Sequence, residues 1–253
     1  WADLYYPGLT SGIAVTINGP ANTASVVKGT LGTDTILNVQ GPLQADGLTV
    51  GGTSRADSFT VNGGTGSWLG LAGGGGNDTM TITLNDTVRL IFGWSTDGNA
   101  TSGIVANLAT GTVSDDGFGG TDTLRITDAG GTLEILATDF NDSITGSAAD
   151  ERFILGAGTD LVTGGGGYDA VRYDRSDVTT GITANLETGV IEGNWGTQSF
   201  AHFVTDIDAV MGSHTGNDMI SGTAADETFY GYGGNDSLFG LDGQDRLFGD
   251  TGN

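Results

Sequence analysis

The chain has 253 residues, of which 47 are glycine and none is cysteine, and its formal net charge is −23. This much glycine excludes a helical bundle, because each glycine inside a helix costs roughly 1 kcal/mol, and the lack of cysteine excludes disulfides and thiolate metal sites. The negative charge argues against binding to nucleic acid, and no apolar run approaches the roughly 18 residues that would insert into a bilayer.

The first third of the chain contains β-branched, alternating runs and a worn repeat. GIAVTINGPA from residue 12 and TDTILNV from residue 33 predict strands. A nine-residue repeat starts at Gly52 with GTSRADSFT, in which Asp57 is at position six. The following nine residues have Gly66 where the acid is expected, and GGGGNDTMT from Gly73 restores it with Asp78.

The middle of the chain has a clearer block of the same repeat. Strand-like residues 103–113 and 121–127 precede ATDFNDSIT, GSAADERFI, LGAGTDLVT and GGGGYDAVR, read from residue 137. Position six of each repeat is acidic, and position eight is Ile, Phe or Val. The acids are Asp142, Glu151, Asp160 and Asp169.

The last third repeats this arrangement with an offset of 76 residues. Strand-like residues 181–191 precede a block over 213–253, whose acids at position six are Asp218, Glu227, Asp236 and Asp245. We therefore predict three tandem modules, 1–84, 85–172 and 173–253, with repeat blocks at 52–81, 137–172 and 213–253. The final block stops inside a repeat, so we expect the chain to belong to a longer protein.

A nine-residue period of this kind predicts an all-β fold, a parallel β-roll or β-helix solenoid alternating with β-strand segments. The apolar residue at position eight points inward from a short strand, and the glycines reverse the chain because they adopt positive φ without strain. Two repeats make one coil, so stacked coils align acids 18 residues apart. Those like charges oppose folding unless a cation lies between them.

The donor chemistry predicts calcium, with several ions bound. Carboxylates and the carbonyls exposed by glycine turns supply the six to eight oxygen ligands that Ca²⁺ prefers, whereas Mg²⁺ demands strict octahedral geometry. The candidate carboxylates are Asp57, Asp78, Asp142, Glu151, Asp160, Asp169, Asp218, Glu227, Asp236 and Asp245. The candidate turn glycines are Gly73, Gly74, Gly76, Gly156, Gly158, Gly164, Gly165, Gly167, Gly231, Gly233, Gly234, Gly240 and Gly243.

GGGGNDTMT, GGGGYDAVR and GYGGNDSLF resemble the G-G-x-G-x-D-x-U-x repeat of the RTX (repeats-in-toxin) exoproteins. The resemblance implies a right-handed β-roll, calcium in the turns and type I secretion to the outside of the cell or its surface. We expect a non-catalytic, structural stretch of an adhesin, surface-layer or extracellular fibre protein. The alternative is an accessory region of a secreted protease, lipase or polysaccharide epimerase.

Other sites find little support in the sequence. No H-E-x-x-H or G-x-S-x-G motif is present, so neither a zinc protease nor a lipase nucleophile is predicted within these residues. His202 and His214 are isolated and are interpreted as surface or packing residues. Self-assembly into a fibre or a surface layer stays open.

Overall fold

The computed structural model describes residues 2–37, 47–63, 68–95 and 98–252. Gly66 lies outside these residues. The chain divides into two compact units, residues 1–138 (unit 1) and 139–253 (unit 2). The three-module division stays a prediction. Apart from one 3-10 turn at Gly29–Leu31, all regular structure in the described residues is β-strand, and none of it is a helix that could cross a membrane.

The described residues of unit 1 form fifteen strands. They are β1 Ala2–Leu4, β2 Ala14–Asn18, β3 Thr23–Val27, β4 Thr33–Leu37, β5 Leu48–Gly51, β6 Ser58–Asn62, β7 Leu69–Ala72, β8 Thr79–Leu84, β9 Thr87–Ile91, β10 Trp94–Ser95, β11 Gly98–Asn99, β12 Val105–Asn107, β13 Thr112–Asp115, β14 Asp122–Asp128 and β15 Thr132–Leu136.

Parallel strands from successive coils stack into two sheets in unit 1. One sheet has the order β1-β5-β7-β9-β15, and the other stacks β2, β6, β8 and β14 in parallel. Antiparallel partners flank the second sheet, with β3 and β4 beside β2, and β12 and β13 beside β14. The inward-facing residues Phe59, Met80 and Leu124 lie in register on neighbouring strands. All three are buried, so they form the interior of the coils.

In unit 2, the part of the chain that the structure describes (139–252) forms twelve strands. They are β16 Ser143–Thr145, β17 Glu151–Ile154, β18 Leu161–Thr163, β19 Ala170–Arg172, β20 Thr183–Asn185, β21 Val190–Trp195, β22 Gln198–Thr205, β23 Ala209–Met211, β24 Met219–Ser221, β25 Thr228–Tyr230, β26 Ser237–Phe239 and β27 Arg246–Phe248.

The register of unit 2 confirms the 18-residue coil that the repeat predicts. One sheet has the order β17-β19-β23-β25-β27, and the other runs β16-β18-β22-β21-β20-β24-β26. Ile144 faces Val162 across β16 and β18, and Phe153 faces Val171 across β17 and β19. These four side chains are at most 2% exposed. The predicted β-solenoid architecture is therefore correct.

An antiparallel meander interrupts the coils at the predicted strand segment 181–191. Strands β20, β21 and β22 pair antiparallel there. The turn between β20 and β21 is fixed by the Thr188 N–H donating to Asn185 Oδ1 at 2.9 Å and by Gly189 at φ +70°. A Cβ at Gly189 would lie 2.4 Å from the Val204 carbonyl oxygen, so glycine is required here for close approach as well.

Candidate metal sites

The predicted acids of the middle block form two ladders along the coils. Each acid stands at or next to the start of a strand. The backbone N–H groups of Asp142 and Glu151 donate to the carboxylate of the acid one coil further on. The Asp142 N–H donates to Asp160 Oδ1 at 2.9 Å, and the Glu151 N–H donates to Asp169 Oδ1 at 2.9 Å. All four side chains are at most 3% exposed. The 18-residue spacing therefore brings together the pairs that the sequence predicts.

The last block has the same arrangement. The Asp218 N–H donates to Asp236 Oδ1 at 2.9 Å, and the Glu227 N–H donates to Asp245 Oδ1 at 3.0 Å. Asp218 and Glu227 are buried, whereas Asp236 and Asp245 are half-buried. These hydrogen bonds hold one oxygen of each acceptor carboxylate and leave the other oxygen for a further contact.

Unit 1 has a ladder of its own, with irregular spacing. The Asp57 N–H donates to Asp78 Oδ1 at 2.8 Å, and the Asp78 N–H donates to Asp122 Oδ1 at 2.9 Å. The separations are 21 and 44 residues instead of 18. Asp122 was interpreted only as part of a strand segment, although GFGGTDTLR over 117–125 has glycines and an acid at repeat-like positions.

Unit 2 has an equivalent residue that the sequence interpretation missed. The Asp169 N–H donates to Asp208 Oδ2 at 2.8 Å, so Asp208 extends the ladder of Glu151 and Asp169. The 39-residue separation arises because the β20–β22 meander is inserted between the two coils. The signal that could have identified Asp208 is the acid followed two residues later by buried Val210, the position-six and position-eight pattern of the repeat.

The predicted glycines occupy the turns that carry these acids, and several of them leave no room for a side chain. A Cβ on Gly164 would lie 2.7 Å from Asp169 Oδ2, one on Gly231 would lie 2.4 Å from Asp236 Oδ2, and one on Gly240 would lie 2.1 Å from Asp245 Oδ2. Gly73 has the same relation to Asp78 Oδ2, at 2.4 Å. Positive φ angles are found at Gly74, Gly76, Gly156, Gly158, Gly165, Gly167, Gly234 and Gly243. Gly233 lies close to a neighbouring carbonyl, that of His214.

Nine of the turns in the described residues fall into two kinds. In turns 52–57, 146–151, 212–218 and 222–227, a Ser or Thr follows the first glycine, and its side chain bonds the acid of the same turn; we call these hydroxyl turns. Ser147 donates its backbone N–H to Glu151 Oε2 at 3.0 Å and its hydroxyl to Oε1. Ser213 binds Asp218 in the same way, at 2.8 and 3.0 Å.

Turns 73–78, 155–160, 164–169, 231–236 and 240–245 have neither Ser nor Thr at that second position; we call these glycine turns. The Oδ2 atoms of Asp78 and Asp236 are buried without a hydrogen-bond partner. Glu227 Oε2, in a hydroxyl turn, shares this condition. A buried carboxylate oxygen without a partner is costly, and a cation is the ligand that would satisfy it.

Asp160 is an exception among the glycine turns, because a histidine approaches its free oxygen. His202 Nε2 lies 3.1 Å from Asp160 Oδ2, and His202 Nδ1 lies 2.8 Å from the Tyr173 hydroxyl. The His202 ring is fully buried and stacks on Phe200 with ring centroids 4.3 Å apart. His202 is therefore a packing residue, one of the two roles predicted for it.

Burial raises the pKa of several ladder acids. The pKa of Asp78 rises to about 9, first because of burial and then because of the negative charges of Asp122, Asp57 and Asp116. Burial raises the pKa of Asp122 and of Asp169 to about 7. The pKa of Asp218 rises only to about 6, since the donors from Ile182 and Ser213 oppose the effect of burial. The ionised form of these ladder acids is therefore unfavourable without a counter-charge.

The donor set fits calcium when backbone oxygens are counted with the carboxylates. Within the described part of the chain, no three Asp, Glu, His or Cys side chains gather as a metal-binding group. A site must therefore combine one or two carboxylates with carbonyl oxygens of the turns, and Ca²⁺ accepts such mixed oxygen ligands.

Comparison with known families agrees with this chemistry. The family described as RTX calcium-binding nonapeptide repeat (4 copies) matches residues 136–171 and 221–253. These ranges contain the stacked turns of β16–β19 and β25–β27. The RTX nonapeptide repeat binds calcium ions. No curated protein matches the chain.

Proposed function

Because this chain carries the calcium-binding repeats of the RTX proteins, we propose that it is a structural region of a secreted adhesin, surface-layer or extracellular fibre protein and that calcium drives its folding. RTX repeats indicate a calcium-binding region of a type I-secreted protein, and such regions are typically non-catalytic. The assignment to a structural parent protein goes beyond that statement.

The observation that carries the proposal is the burial of the acid ladders. Glu151, Asp160 and Asp169 are at most 1% exposed, yet the chain has only 8 Lys and Arg side chains against 31 acids. Basic side chains are too few to neutralise these ladders. A bound divalent cation would supply the missing charge, and the free carboxylate oxygens would supply its ligands.

The chain prepares such sites with its own groups. Backbone N–H donors from one coil fix one oxygen of several ladder carboxylates on the next, as the Asp142 N–H does for Asp160. Glycines such as Gly164 and Gly231 let the turn backbone come close to the second oxygen. When bound, calcium neutralises the carboxylates and adds a bond between turns. The residues that would hold it are the predicted position-six acids and turn carbonyls.

Folding that depends on calcium binding is compatible with export of an unfolded chain. Where calcium is scarce, repulsion among the acids opposes the compact state, so the chain stays extended. At the roughly millimolar calcium found outside cells, sites with the affinity of extracellular modules fill, and their binding free energy becomes folding free energy. A structural role is supported by the described strands, which in both units form stacked coils and antiparallel segments.

Circular dichroism of the full chain in calcium and in excess EGTA tests the proposed folding mechanism. We expect a β-sheet spectrum with calcium, its loss on chelation, and its recovery when calcium is restored. Magnesium at the same concentration is the control and is expected to restore much less signal. A full-strength strand spectrum in EGTA would refute calcium-driven folding.

The structural assignment needs a separate test, namely the sequence of the parent protein on both sides of this chain. Further strand-plus-repeat modules would support an adhesin, surface-layer or fibre protein. An adjoining protease, lipase or epimerase domain would contradict that assignment while leaving the calcium mechanism intact.

A further inference from the structure

Residues 117–122 of unit 1 form a turn that stacks like the RTX turns, although they lie outside the matched ranges. The Thr121 N–H donates to Asn77 Oδ1 at 3.0 Å, and the Asp78 N–H donates to Asp122 Oδ1 at 2.9 Å. In unit 2, the Thr159 N–H donates to Asn141 Oδ1 at 2.8 Å in the same manner. Turn 117–122 is thus the stacking partner of turn 73–78.

Asp116, which precedes this turn, has no counterpart at position six of the repeat. Its Oδ1 accepts the backbone N–H groups of Phe118 at 2.7 Å and Gly120 at 2.8 Å. Its Oδ2 is buried and has no hydrogen-bond partner, and the side chain is only 1% exposed. One oxygen therefore shapes the turn, and the other remains available for a ligand.

The free oxygen of Asp116 lies beside another acceptor. A Cβ on Gly120 would lie 2.4 Å from Asp116 Oδ2 and 1.7 Å from the Gly76 carbonyl oxygen, so both oxygens approach the same point. The charge of Asp116 also acts on Asp78, whose own Oδ2 is buried and without a partner. Neighbouring acceptors with no donor between them repel each other, and a cation removes that repulsion.

We propose that turn 73–78 and turn 117–122, with the Asp116 that precedes it, hold a divalent cation in unit 1. Asp116 Oδ2 and the Gly76 carbonyl would be ligands, and the carboxylates of Asp78 and Asp122 would be the surrounding charge. Calcium is the expected ion, because the donors are carboxylate and carbonyl oxygens in a flexible turn. The inference rests on the proposed function for the choice of ion. It differs from the repeat sites in using an acid from outside the nonapeptide.

The site would order more than its own two turns. The chain between them, residues 79–115, includes β8 and the excursion β9–β13. A cation bridging Gly76 and Asp116 would close that excursion at its base. Unit 1 would then respond to calcium although the RTX matches include only its residues 136–138.

The test compares Asp116→Asn with a matched control in the full chain. Asparagine keeps an oxygen to accept the Phe118 and Gly120 N–H groups and loses only the free anionic oxygen. Asp128→Asn is the control, because Asp128 is an exposed acid of unit 1 that also caps a nearby backbone group, the Gly130 N–H at 2.8 Å. Asp236→Asn reports on the proposed repeat sites of unit 2.

Bound calcium is counted by equilibrium dialysis with elemental analysis, and amide hydrogen exchange follows residues 73–80 and 112–124. We expect Asp116→Asn to bind one calcium ion fewer than Asp128→Asn and to lose the calcium-induced protection of both segments. Protection of residues 139–172 should be unchanged. An ion count equal to that of the control overturns the inference.

The unsubstituted chain, which we call the parent chain, supplies a readout that does not depend on how well the variant folds. If saturating calcium adds no protection to residues 73–80 and 112–124 of the parent, the inference is wrong. Loss of an ion in Asp236→Asn with no loss in Asp116→Asn refutes this site and leaves the proposed function standing. A parent chain that binds no calcium at all refutes both.

Discussion

Hydroxyl turns and glycine turns differ in where their acids find hydrogen-bond partners. In hydroxyl turn 146–151, Ser147 gives Glu151 both an N–H and an O–H donor, and the Ala149 N–H donates to the same hydroxyl at 3.1 Å. In glycine turn 73–78, Asp78 Oδ2 has no partner. The first turn is held together by its own atoms, whereas the second needs an external ligand.

The two kinds of turn are neighbours in the stack, so the difference in hydrogen bonding lies between adjacent coils. Hydroxyl turn 146–151 stacks directly on glycine turn 164–169, since a Cβ at Gly146 would lie 1.8 Å from the Gly164 carbonyl oxygen. Turn 222–227 stacks in the same way on turn 240–245, where the Gly243 backbone approaches the Ala225 carbonyl. Because the Ser147 donors reach both oxygens of Glu151, we infer that hydroxyl turn 146–151 serves as a preformed template on which glycine turn 164–169 is ordered by calcium.

The largest expected effect is that of pH on the calcium-free chain. The pKa values of Asp78, Asp122 and Asp169 rise from 3.8 to about 9, 7 and 7, because of burial first and neighbouring acids next. The folded chain therefore binds more protons than the unfolded chain between about pH 4 and pH 9, and its stability falls as pH rises through that window.

Circular dichroism in calcium-free buffer checks this pH effect, with more β-structure expected at pH 5 than at pH 8. Asp169→Asn should flatten the profile, because it removes one of the titrating glycine-turn acids. A signal that decreases on acidification to pH 5 would contradict the assigned direction.

A smaller effect on stability is expected from adding a side chain at a glycine that has no room for a Cβ. In Gly164→Ala the new Cβ would stand 1.9 Å from the Asp206 carbonyl and 2.7 Å from Asp169 Oδ2, so the turn must shift. Overpacking of this kind costs about 1–3 kcal/mol. Gly166→Ala is the matched control two residues away, where the nearest atom, Ala148 Cα, is 3.8 Å distant.

Thermal unfolding of both alanine variants in saturating calcium measures the difference. Gly166→Ala should melt close to the parent, and Gly164→Ala should melt at a lower temperature. Equal melting temperatures would show that this turn does not require close approach of its backbone to Asp169.

The regular part of this arrangement could be predicted from sequence because stacking converts a constant spacing into contact. Asp142 and Asp160 pair as expected, since two uninterrupted nine-residue repeats separate them. Asp122 and Asp208 were missed because inserted antiparallel strands change the separation to 44 and 39 residues while the stacking persists. A search at a constant sequence spacing misses these acids, because the ladder depends on stacking between coils, which an inserted segment does not disrupt.

The nine-residue period also could not predict the hydrogen bonds within individual turns. Glu151 and Glu227 were predicted as ligands by position alone, without regard to the hydroxyls of Ser147 and Thr223. Those hydroxyls become relevant only when the turn brings residues four apart into contact. Their calcium-binding role stays a prediction, and the comparison of turns makes it testable.

A paired substitution on one ladder separates the two kinds of turn. Asp169→Asn keeps the acceptor for the Glu151 N–H but removes the charge of a glycine-turn acid. We expect the calcium concentration that half-orders residues 139–172 to rise on the order of tenfold or more. Glu151→Gln should shift that midpoint by roughly twofold to threefold, because the Ser147 N–H still has an acceptor.

The measurement is a calcium titration followed by hydrogen exchange of residues 139–172. Ser176→Ala, a change at an exposed serine of the same unit, controls for the general effect of substitution. Equal shifts for the Asp169 and Glu151 variants would remove the proposed distinction between glycine and hydroxyl turns.

The smallest effect is expected from removing a single hydroxyl. Ser147→Ala deletes the donor to Glu151 and the acceptor for the Ala149 N–H, but the Ser147 backbone N–H remains bonded to Glu151. A loss of about 1 kcal/mol is expected, which corresponds to roughly 2–4 °C in the melting temperature for a chain of this size. Differential scanning calorimetry in saturating calcium, with Ser176→Ala as control, measures it. An unchanged melting temperature would mean that the Ser147 hydroxyl does not hold this turn together, and Glu151 would then be expected to depend on calcium as much as Asp169 does.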